Sequence, residues 1–465
     1  MNNWRTIRLG DVAKTSSGGT PKRTSPAYYG GGIPWVKSGE LGDSTVYETS
    51  ETISKAGLDG SSAKIFPKGT LCVALYGATV GKLGILGVDA ATNQAVCGIF
   101  LPPEIDTRFA YRFLESKRRQ LVESAKGGAQ PNISQEIIRD LQFPLPPLLE
   151  QREIVAEIEK QFTRVDAGIA ALRRTQANLK RYRAAVLKAA CEGRLVPTEA
   201  ELAKPQSPKQ GSIPRKLGAS DFESGAILLE RMLIERRKKW PGSGKYKEAT
   251  VIDAGTLPSL PDGWAWASMR QVGEVQLGRQ RAPQHHTGDN MRPYLRVANV
   301  FEARIDTSDV KEMNFTPAEF ERYQLRCGDI LLNEGQTPEL VGRPAMFRDE
   351  VAECCYQKTL LRFRAYEGVL PAFALTVFRS YMHNRRFTRA ASITTNIAHL
   401  TAEKFVEIEF PLPPLAEQTR IEAEVERRLS VVVELETTVN ANLQRATRLR
   451  QSVLQQAFRG HIAAQ

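Results

Sequence analysis

Residues 77–83, Gly-Ala-Thr-Val-Gly-Lys-Leu, are the stretch of this sequence that comes nearest to a phosphate-binding loop. A nucleotide-binding P-loop has four residues between its glycines and a Ser or Thr after its lysine, because backbone N–H groups surround the phosphates and the hydroxyl holds Mg²⁺. Here three residues separate Gly77 from Gly81, and Leu83 follows Lys82. The sequence therefore predicts a glycine-rich turn with a basic tip.

The remaining reactive residue types form no catalytic or metal-binding pattern. His285 and His286 are adjacent, which suits a loop better than a shared metal ion. The six cysteines have neither metal nor redox spacing, so we expect buried thiols in a reducing cytoplasm. The sequence lacks the Asn-Pro-Pro-aromatic motif of amino methylation. We predict no catalytic residue, no metal site and no cofactor bound by this chain. The cysteines are Cys72, Cys97, Cys191, Cys327, Cys354 and Cys355.

Composition is that of a globular protein with an excess of positive charge. The chain has 465 residues, 42% of them hydrophobic and 25% charged, which is enough for two or three domains. The net charge of +12 fits either a solvated basic surface or a surface that binds phosphates. No apolar run reaches the ~18 residues that span a bilayer. The N-terminus has no signal-peptide pattern, so we expect a cytoplasmic protein without membrane contact.

A proline-rich motif occurs twice and divides the chain. Residues 143–159 read FPLPPLLEQREIVAEIE, and residues 410–426 read FPLPPLAEQTRIEAEVE. Because proline lacks an N–H and fixes φ, the shared Phe-Pro-Leu-Pro-Pro-Leu core predicts an extended entry without a regular element. A proline-free segment follows each copy and ends at Gly193 in the first and Gly460 in the second. The sequence therefore predicts two long helices that begin alike.

Both predicted helices carry apolar residues in a heptad pattern. Sustained over five heptads, this pattern is typical of helices that pack along their length against another helix. Each helix would be about 65 Å long, more than one compact domain needs. Two ordinary core helices are the alternative interpretation, but helices of this length are unusual in globular cores. We predict an antiparallel coiled coil that sets the separation of the domains preceding each helix. The heptad positions are Ile158, Val165, Leu172, Leu179 and Val186, then Val425, Val432, Val439, Ala446 and Val453.

The segments before the two helices resemble each other as strand-rich domains. Short apolar runs between glycine clusters predict strands and turns in residues 1–142, with a helix near Thr107–Ser124. The predicted fold class is α+β, with two strand-rich α/β domains joined by two long helices in a pseudo-twofold internal repeat. The domains are 1–142 and 259–409, the spacer helices are 143–193 and 410–465, and the linker is 194–258. Ile33–Lys37 aligns with Arg292–Arg296, Lys68–Leu71 with Cys327–Ile330, Asn132-Ile133 with Asn396-Ile397, and the first helix with Pro371–Arg386.

The linker combines a polar stretch with a short helix. Residues 204–217 are rich in Pro, Ser and Lys, which predicts flexibility. Residues 224–240 predict an amphipathic helix with a basic end and an apolar face that includes Leu228 and Met232. This helix could cap the coil or dock on a partner subunit, and the sequence does not decide between the two.

Two strand-rich domains, each followed by a long helix with the same FPLPPLxEQ lead, resemble the specificity subunit of type I restriction-modification systems. The resemblance covers essentially the whole chain. In the second domain, the Gly-Thr-Pro loop of the pattern is not evident near Leu277–Pro283. The other motifs on which the resemblance rests are Trp4 with Leu9-Gly10-Asp11, Ser17–Pro21, Ile33-Pro34-Trp35, Tyr76-Gly77 with Gly81, Pro131-Asn132-Ile133, Val186–Pro197 and Val453–Gly460.

This resemblance implies a binding protein rather than an enzyme. Each domain, a target recognition domain, would read one half of a split, asymmetric double-stranded DNA site, and the coil would dock two methyltransferase subunits. Motor-nuclease subunits would add restriction. S-adenosylmethionine, ATP and Mg²⁺ would belong to those partners. A coiled-coil adaptor that binds only proteins is one alternative, and a bifunctional enzyme is another that the missing motifs disfavour.

If the chain reads DNA, basic residues would neutralise phosphates and a few loop side chains would contact base edges in the major groove. We predict contacts from loops in both domains, and plain solvated surface is the alternative for each residue. In the first domain the candidates are Thr20, Lys22, Arg23, Lys37, Tyr76 and Lys82. In the second they are Arg279, Gln280, Arg281, Arg296, Gln336 and Arg343.

Overall fold

The computed structural model describes residues 4–124, 132–204, 222–239 and 252–459. Its internal contacts divide the chain into two units, Met1–Arg174 with Val439–Gln465, and Thr175–Thr438. Helices and strands are both abundant, so the α+β fold class is confirmed. None of the described helices combines the length with the apolar composition that a bilayer-spanning segment requires. The predicted flexible linker lies almost entirely outside the described residues.

The first unit contains a domain of short strands that leads into the first long helix. A five-stranded sheet has the order β2-β10-β7-β8-β4, a four-stranded sheet has the order β5-β3-β9-β6, and β1 pairs with β11. The predicted helix over Thr107–Ser124 is confirmed. In chain order the strands and α-helices are β1 (Arg5–Arg8), α1 (Leu9–Val12), β2 (Lys14–Ser17), β3 (Tyr29–Val36), β4 (Ser44–Val46), β5 (Thr52–Ile53), α2 (Lys55–Asp59), β6 (Ile65–Phe66), β7 (Leu71–Ala74), β8 (Leu83–Leu86), β9 (Ala90–Thr92), β10 (Val96–Phe100), α3 (Thr107–Ser124), α4 (Gln135–Arg139), β11 (Gln142–Leu145) and the long α5 (Leu148–Cys191).

The second unit contains a domain with the same central strand order. Its sheets run β13-β22-β18-β20, β17-β14-β21 and β19-β24-β23, and β12 pairs with β25. In chain order the elements are α6 (Glu199–Leu202), α7 (Gly225–Lys238), β12 (Ala265–Ser268), α8 (Met269–Val272), β13 (Gly273–Leu277), β14 (Met291–Leu295), β15 (Val300–Phe301), β16 (Arg304–Ile305), β17 (Lys311–Asn314), α9 (Pro317–Tyr323), β18 (Ile330–Asn333), β19 (Gly335–Gln336), β20 (Pro344–Met346), β21 (Cys355–Tyr356), β22 (Leu360–Ala365), α10 (Pro371–His383), α11 (Arg386–Ala390), β23 (Ser392–Thr394), β24 (Ile397–His399), α12 (Ala402–Val406), β25 (Glu409–Leu412) and the long α13 (Leu415–Phe458).

Matching backbone contacts relate the two domains residue by residue. Strand β3 pairs in parallel with β9, and β14 pairs in parallel with β21. Gly69 adopts a positive φ and donates its N–H to the carbonyl of Leu86 at 2.7 Å. Gly328 also has a positive φ and donates to the carbonyl of Phe347 at 2.9 Å. The predicted alignments of Ile33–Lys37 and of Lys68–Leu71 with the second domain agree with this geometry.

The predicted match of Asn132-Ile133 with Asn396-Ile397 is wrong. Ile133 donates its N–H to the carbonyl of Leu75 at 2.7 Å, and Leu400 makes the corresponding bond to Glu334 at 2.8 Å. His399-Leu400 is therefore the structural counterpart of Asn132-Ile133. The repeated Asn-Ile pair did not identify the equivalent residues, because the two domains share the backbone hydrogen bond here and not the side chains.

The proline motifs form regular strands, which corrects the expectation of an extended entry without a regular element. Pro144 lies opposite Thr6 in the pair β1–β11, and Pro411 lies opposite Trp266 in the pair β12–β25. Each pair has only two strands, so a proline that donates no hydrogen bond is tolerated at its open side. The motif closes each domain against its own first strand.

The two long helices contact each other in each unit. In the first unit, Arg450 on α13 donates to Asp166 on α5 at 2.8 Å and stacks over Phe162 at 4.0 Å. In the second unit, Arg183 on α5 donates to Glu436 on α13 at 2.7 Å. Every predicted heptad position is buried or half-buried, as a packed seam requires.

The linker helix α7 packs against the second domain rather than against the coil. Ser224 caps its N-terminus, and Leu228 and Met232 are buried. Both side chains lie close to Gly368. Neither interpretation offered by the sequence included this contact, because a pattern of apolar residues shows that a face is covered without showing by what.

Candidate functional site

In the first unit, the loop of residues 17–23 leaves strand β2 along a path that only glycine permits. The N–H groups of Gly18 and Gly19 donate to the carbonyls of Val96 at 3.3 Å and Thr92 at 2.9 Å. A Cβ on Gly18 would lie 2.0 Å from the Thr92 carbonyl oxygen. The loop therefore runs in direct contact with the sheet backbone.

Two aromatic residues fix the rest of this loop. The Trp35 indole N–H donates to the carbonyl of Gly19 at 3.1 Å, and the Tyr29 hydroxyl donates to the carbonyl of Pro21 at 2.6 Å. The guanidinium of Arg23 stacks over both rings, 4.6 Å from the centre of Tyr29 and 5.1 Å from that of Trp35. Hydrogen bonds and cation–π contacts thus restrain the loop from both sides.

One carboxylate joins two of the predicted contact residues. Glu51 accepts a hydrogen bond from Arg23 at 2.6 Å on Oε2 and another from Lys37 at 2.7 Å on Oε1. These two hydrogen bonds lower the pKa of Glu51 to about 2, so the group is ionised at neutral pH. The Glu51 carbonyl accepts from the Trp35 N–H at 3.2 Å, so the backbone of the acid is itself anchored.

Two further candidates lie at the exposed tip of the same loop. The Thr20 hydroxyl is hydrogen-bonded to the side chain of Gln94. Lys22 is exposed to solvent. Thr20, Lys22 and Arg23 therefore share one rigid, basic loop, to which Glu51 adds Lys37.

The glycine turn of residues 77–82 is held by a helix. Gly77 and Gly81 have φ of 86° and 77°, which favours glycine at both positions. Arg118 on α3 donates from Nε to the carbonyl of Gly81 at 3.0 Å. Lys82 is exposed, whereas Tyr76 is half-buried against the hydrophobic core. This stretch is a glycine-rich turn that presents a lysine to solvent, as the sequence predicted.

The second domain contains a counterpart of the glycine loop that the sequence did not reveal. Gly278 donates its N–H to Leu360 at 3.1 Å, and Arg279 donates its N–H to Tyr356 at 3.1 Å. These carbonyls correspond to those of Val96 and Thr92 in the first domain, so Arg279 occupies the backbone position of Gly19. The loop near Leu277–Pro283, unassigned from the sequence, is thereby assigned.

The Arg279 side chain supports this loop from inside. Its Nε donates to Glu319 at 2.9 Å, Nη1 donates to the carbonyl of Asn314, and the guanidinium stacks over Phe315 at 5.0 Å. The side chain is 8% exposed. Among the predicted contacts, Arg279 is therefore placed where a ligand cannot reach it without rearrangement.

The neighbouring candidates lie at the surface. Gln280 accepts a hydrogen bond from Lys358 at 3.4 Å, and Arg281 donates to His286 at 3.0 Å. Both candidates are exposed. The exposed basic character of this loop comes from Arg281 and Lys358, and the latter was not predicted.

Arg296 and Arg343 correspond to two lysines of the first domain. Arg296 corresponds to Lys37, because the residue before each one accepts the same backbone hydrogen bond. The carbonyl of Val36 accepts from the N–H of Asn93 at 2.9 Å, and the carbonyl of Leu295 accepts from the N–H of Gln357 at 2.9 Å. Arg296 pairs with Asp309, and that hydrogen bond, together with one from Lys311, lowers the pKa of Asp309. Arg343 corresponds to Lys82 in the same way. The carbonyl of Lys82 accepts from the N–H of Ala74 at 2.9 Å, and the carbonyl of Arg343 accepts from the N–H of Asn333 at 3.2 Å.

Two candidates of the second domain are less exposed than their sequence suggested. Arg343 is half-buried and stacks over Phe301 at 4.8 Å, and burial lowers its pKa. Gln336 lies in strand β19, opposite Ala398 of β24. Their backbone positions match the glycine turn of the first domain, but their side chains are partly covered.

One family model matches the N-terminal part of the chain. Residues 1–179 match the model of the type I restriction modification DNA specificity domain. Residues 1–179 are therefore similar in sequence to the DNA specificity domain of this family. The resemblance found in the sequence motifs is thereby confirmed. The second domain lies outside this match and shares the central strand order and the loop backbone contacts of the first domain.

Curated relatives resemble the chain over most of its length. The specificity subunit of the type I restriction enzyme EcoKI from Escherichia coli K12 is 26% identical over 376 residues, which cover 80% of this chain and 69% of that protein. The EcoDI specificity subunit of Escherichia coli is 23% identical over an alignment of 474 residues, which covers 100% of this chain and 89% of that protein. A solved structure of a type I restriction-modification system chain matches with a TM-score of 0.67 at 19% identity, over 99% of this chain and 98% of that one. That structure shows likeness of fold.

The specificity domain brings some predicted residues together and leaves others apart. Arg23 and Lys37 meet at Glu51, whereas Arg279, Arg296 and Arg343 each have their own partner. Sequence reasoning missed Glu51, since an isolated glutamate before a short strand carries no recognisable signal. It also missed Arg118, whose helix position did not reveal the turn that it supports.

The buried thiols fit a structural role in the two domains. Five of the cysteines are buried, but Cys327 is exposed, which corrects the expectation for that residue. Burial raises the pKa of Cys97, Cys191 and Cys354 to about 12, so these thiols stay protonated at neutral pH. Within the described ranges, no cluster of His, Cys, Asp and Glu side chains is suited to a metal ion.

Proposed function

We propose that this chain is the DNA sequence-recognition subunit of a type I restriction-modification complex. Each domain reads one half of a bipartite, asymmetric site in the major groove. The observation that carries the proposal is the DNA specificity domain at residues 1–179, together with its structural repetition in the second unit. A protein with two copies of one DNA-reading fold and different loops is suited to two different half-sites.

The proposed DNA surface consists of exposed and half-exposed loop residues. In the first domain Thr20, Lys22, Arg23, Lys37 and Lys82 are presented on loops fixed to the sheet, where cations can neutralise phosphates and Arg23 can contact a base edge. Tyr76 is placed at the base of the turn.

In the second domain Gln280, Arg281 and Arg296 take the corresponding place, joined by Lys358. Gln336 and Arg343 border that surface at the second turn. Arg279 supports the loop from within, because its guanidinium is already bound by protein groups.

The long helices form the proposed spacer. The two helices contact each other in each unit, and their heptad residues are buried or half-buried, which supports an antiparallel coiled coil as the proposed arrangement. The domain boundaries that we propose remain those predicted from the sequence, at 142, 193, 258 and 409, and α5 begins at Leu148 and α13 at Leu415. A coil of this kind would fix the number of base pairs between the half-sites.

Exposed apolar residues on the helices suit a protein partner. Val431, Val433 and Leu435 on α13 and Tyr182 on α5 are all exposed. A surface of this kind is typical of an interface. We assign it to two methyltransferase subunits, which would bind S-adenosylmethionine, and we propose that motor-nuclease subunits with ATP and Mg²⁺ complete the complex. The chain itself would be non-catalytic and cytoplasmic, with double-stranded DNA as its ligand.

Methylation mapping tests the proposal. Host DNA is sequenced by a single-molecule method with this gene intact and then deleted. We expect one bipartite adenine-methylated motif to disappear on deletion and to return when the gene is restored on a plasmid. An unchanged methylome in a host whose methyltransferase subunits are expressed would contradict the proposal.

An adaptor that binds only proteins is the second candidate, and the exposed apolar residues of the helices favour it. Duplex binding by the purified complex separates the two. A DNA reader that makes several phosphate contacts should lose orders of magnitude in affinity between 50 and 200 mM salt. An adaptor would show no such duplex affinity at low salt.

A further inference from the structure

We propose that Glu51 is a positioning residue that sets the sequence discrimination of the first domain, by holding Arg23 in one orientation. This inference rests on the proposed function. It assigns to an acidic side chain, which cannot itself attract phosphate, a part in reading bases. Its consequence is that Glu51 improves selectivity at the expense of general DNA affinity.

Three groups restrain the Arg23 guanidinium. The rings of Tyr29 and Trp35 lie on its face at 4.6 and 5.1 Å, and Glu51 holds Nη1 at 2.6 Å. Within the described part of the chain, Nε and Nη2 have no hydrogen-bond partner, and the side chain is 55% exposed. The free edge of the guanidinium is thus fixed in direction and open to solvent. Two parallel N–H groups held in this way match the O6 and N7 atoms of guanine.

Glu51 is suited to this role because both of its oxygens are engaged. Oε1 accepts from Lys37 while Oε2 accepts from Arg23, so the carboxylate cannot turn without breaking one bond. Its own backbone is tied to Trp35 at 3.2 Å. The acid therefore transmits the rigidity of the sheet to two side chains on different loops. Ordering Arg23 before binding removes part of the entropy cost of a base contact.

The second domain provides a contrast. Arg279 also combines a glutamate partner, Glu319, with a stacked ring, Phe315. There the guanidinium is 8% exposed and also donates to a backbone carbonyl. The arrangement around Arg279 is buried and that around Arg23 is open, so of these two arginines Arg23 is the one held with a free edge at the surface.

Charge and orientation make opposite predictions for a Glu51→Gln variant. Loss of the negative charge should raise affinity for any duplex, because Arg23 and Lys37 become available to phosphates. Loss of the ionic anchor should weaken discrimination at the base that Arg23 reads by about tenfold, as expected when a bidentate contact loses its geometry. If Glu51 merely contributed to binding, its loss would instead lower the affinity for the specific duplex and the affinity for an unrelated duplex alike.

The experiment uses the complex purified from its host through a tag on this chain. The complex selects from a library of random duplexes, and the bound sequences are read for wild type, Glu51→Gln, Glu51→Asp and the control Glu48→Gln. Glu48 is an exposed neighbour that forms no ion pair within the described residues, so the control makes the same charge change. Thermal melting of each complex is measured alongside, as is binding to one unrelated duplex at several salt concentrations.

We expect wild type and Glu48→Gln to select the same bipartite motif. Glu51→Gln should lose preference at one position of one half-site, keep the other half-site, bind the unrelated duplex more tightly and steepen its salt dependence by about one unit. Glu51→Asp keeps the charge but is too short to hold both cations, so it should lose the same preference without the gain in affinity. Preference retained at every position by both Glu51 variants, or a uniform loss in both half-sites, would overturn the inference. A wild-type complex that selects no motif would instead overturn the proposed function, and this inference with it.

Discussion

The glutamate that follows the repeated prolines makes the same hydrogen bond in both units. Glu150 accepts from the indole N–H of Trp4 at 2.9 Å, and Glu417 accepts from that of Trp264 at 2.9 Å. Each bond joins the first turn of a long helix to the first residues of the domain before it. This shared contact gives a physical reason for the repeated Glu-Gln pair.

The adjacent glutamine satisfies buried backbone groups. Gln151 donates to the carbonyls of Glu104 at 3.0 Å and Pro146 at 2.9 Å, and accepts from the N–H of Asp106 at 2.8 Å. Gln418 makes the corresponding bonds to Gly368 and Pro413, and accepts from Leu370. Both side chains are fully buried. One amide therefore provides hydrogen-bond partners for three backbone groups near the start of each long helix.

We expect Gln151→Ala to destabilise the protein by about 2 kcal/mol, because three buried backbone groups lose their partner. Gln161→Ala, on the same helix, removes a half-exposed side chain that bonds to Glu157, and should change stability by less than about 0.5 kcal/mol. Urea unfolding followed by circular dichroism measures both. Equal effects of the two substitutions would contradict the assigned role of Gln151.

At the scale of elements, the end of the last helix belongs to the core of the first domain. Phe458 packs edge-on against Phe109 at 5.2 Å and Phe113 at 5.6 Å, beside the buried Val453 and Leu454. Residues from both ends of the sequence thus complete one hydrophobic core. The first domain cannot bury its apolar surface fully until α13 is in place.

Close packing also fixes the linker helix α7. A Cβ on Gly225, at its first turn, would lie 2.1 Å from the carbonyl oxygen of Leu412 in β25. A Cβ on Gly168, in α5, would have no neighbouring atom within 4 Å. The two helical glycines thus differ in surroundings while sharing a residue type.

We expect opposite effects from alanine at these two positions. Gly225→Ala should destabilise the second unit by about 2 kcal/mol or release α7, since backbone atoms cannot yield easily. Gly168→Ala should stabilise α5 by about 0.5–1 kcal/mol, because alanine favours the helix. Chemical denaturation gives the free energies, and hydrogen exchange over residues 225–238 reports whether α7 stays docked. Unchanged exchange and stability in Gly225→Ala would show that the contact is not needed.

At the scale of the whole molecule, the proposed spacer makes a geometric prediction. Insertion of one heptad into each long helix keeps the apolar seam in register and adds roughly 10 Å, which corresponds to about three base pairs. Methylation mapping should then find the same two half-sites separated by a longer spacer.

Replacing one existing heptad by another of the same length is the control for this experiment, and it should leave the spacer unchanged. If the lengthened protein assembled and methylated DNA with the original spacer, the coil would not set the separation.

The sequence by itself determined the long helices, the duplication and the family resemblance. Each of these follows from a pattern that extends over many residues: a heptad of apolar positions, two proline motifs, and glycines at turns with positive φ such as Gly69 and Gly328. Such patterns survive local divergence because helix periodicity and steric limits on φ act on every copy in the same way. The turn at Gly77–Leu83 was predicted from the spacing of its glycines and from the leucine that follows its lysine.

Only the tertiary structure decided which side chains are available. Arg23 and Arg279 look alike in sequence, yet one is presented to solvent and the other is buried, because Arg279 stands at the backbone position of a glycine and must turn inward. Glu51 joins two loops, α7 covers the second domain, and Leu400 replaces Ile397 as the counterpart of Ile133. These facts depend on residues distant in sequence meeting in space. No local sequence pattern encodes these long-range contacts, since each contact depends on the register of the whole sheet.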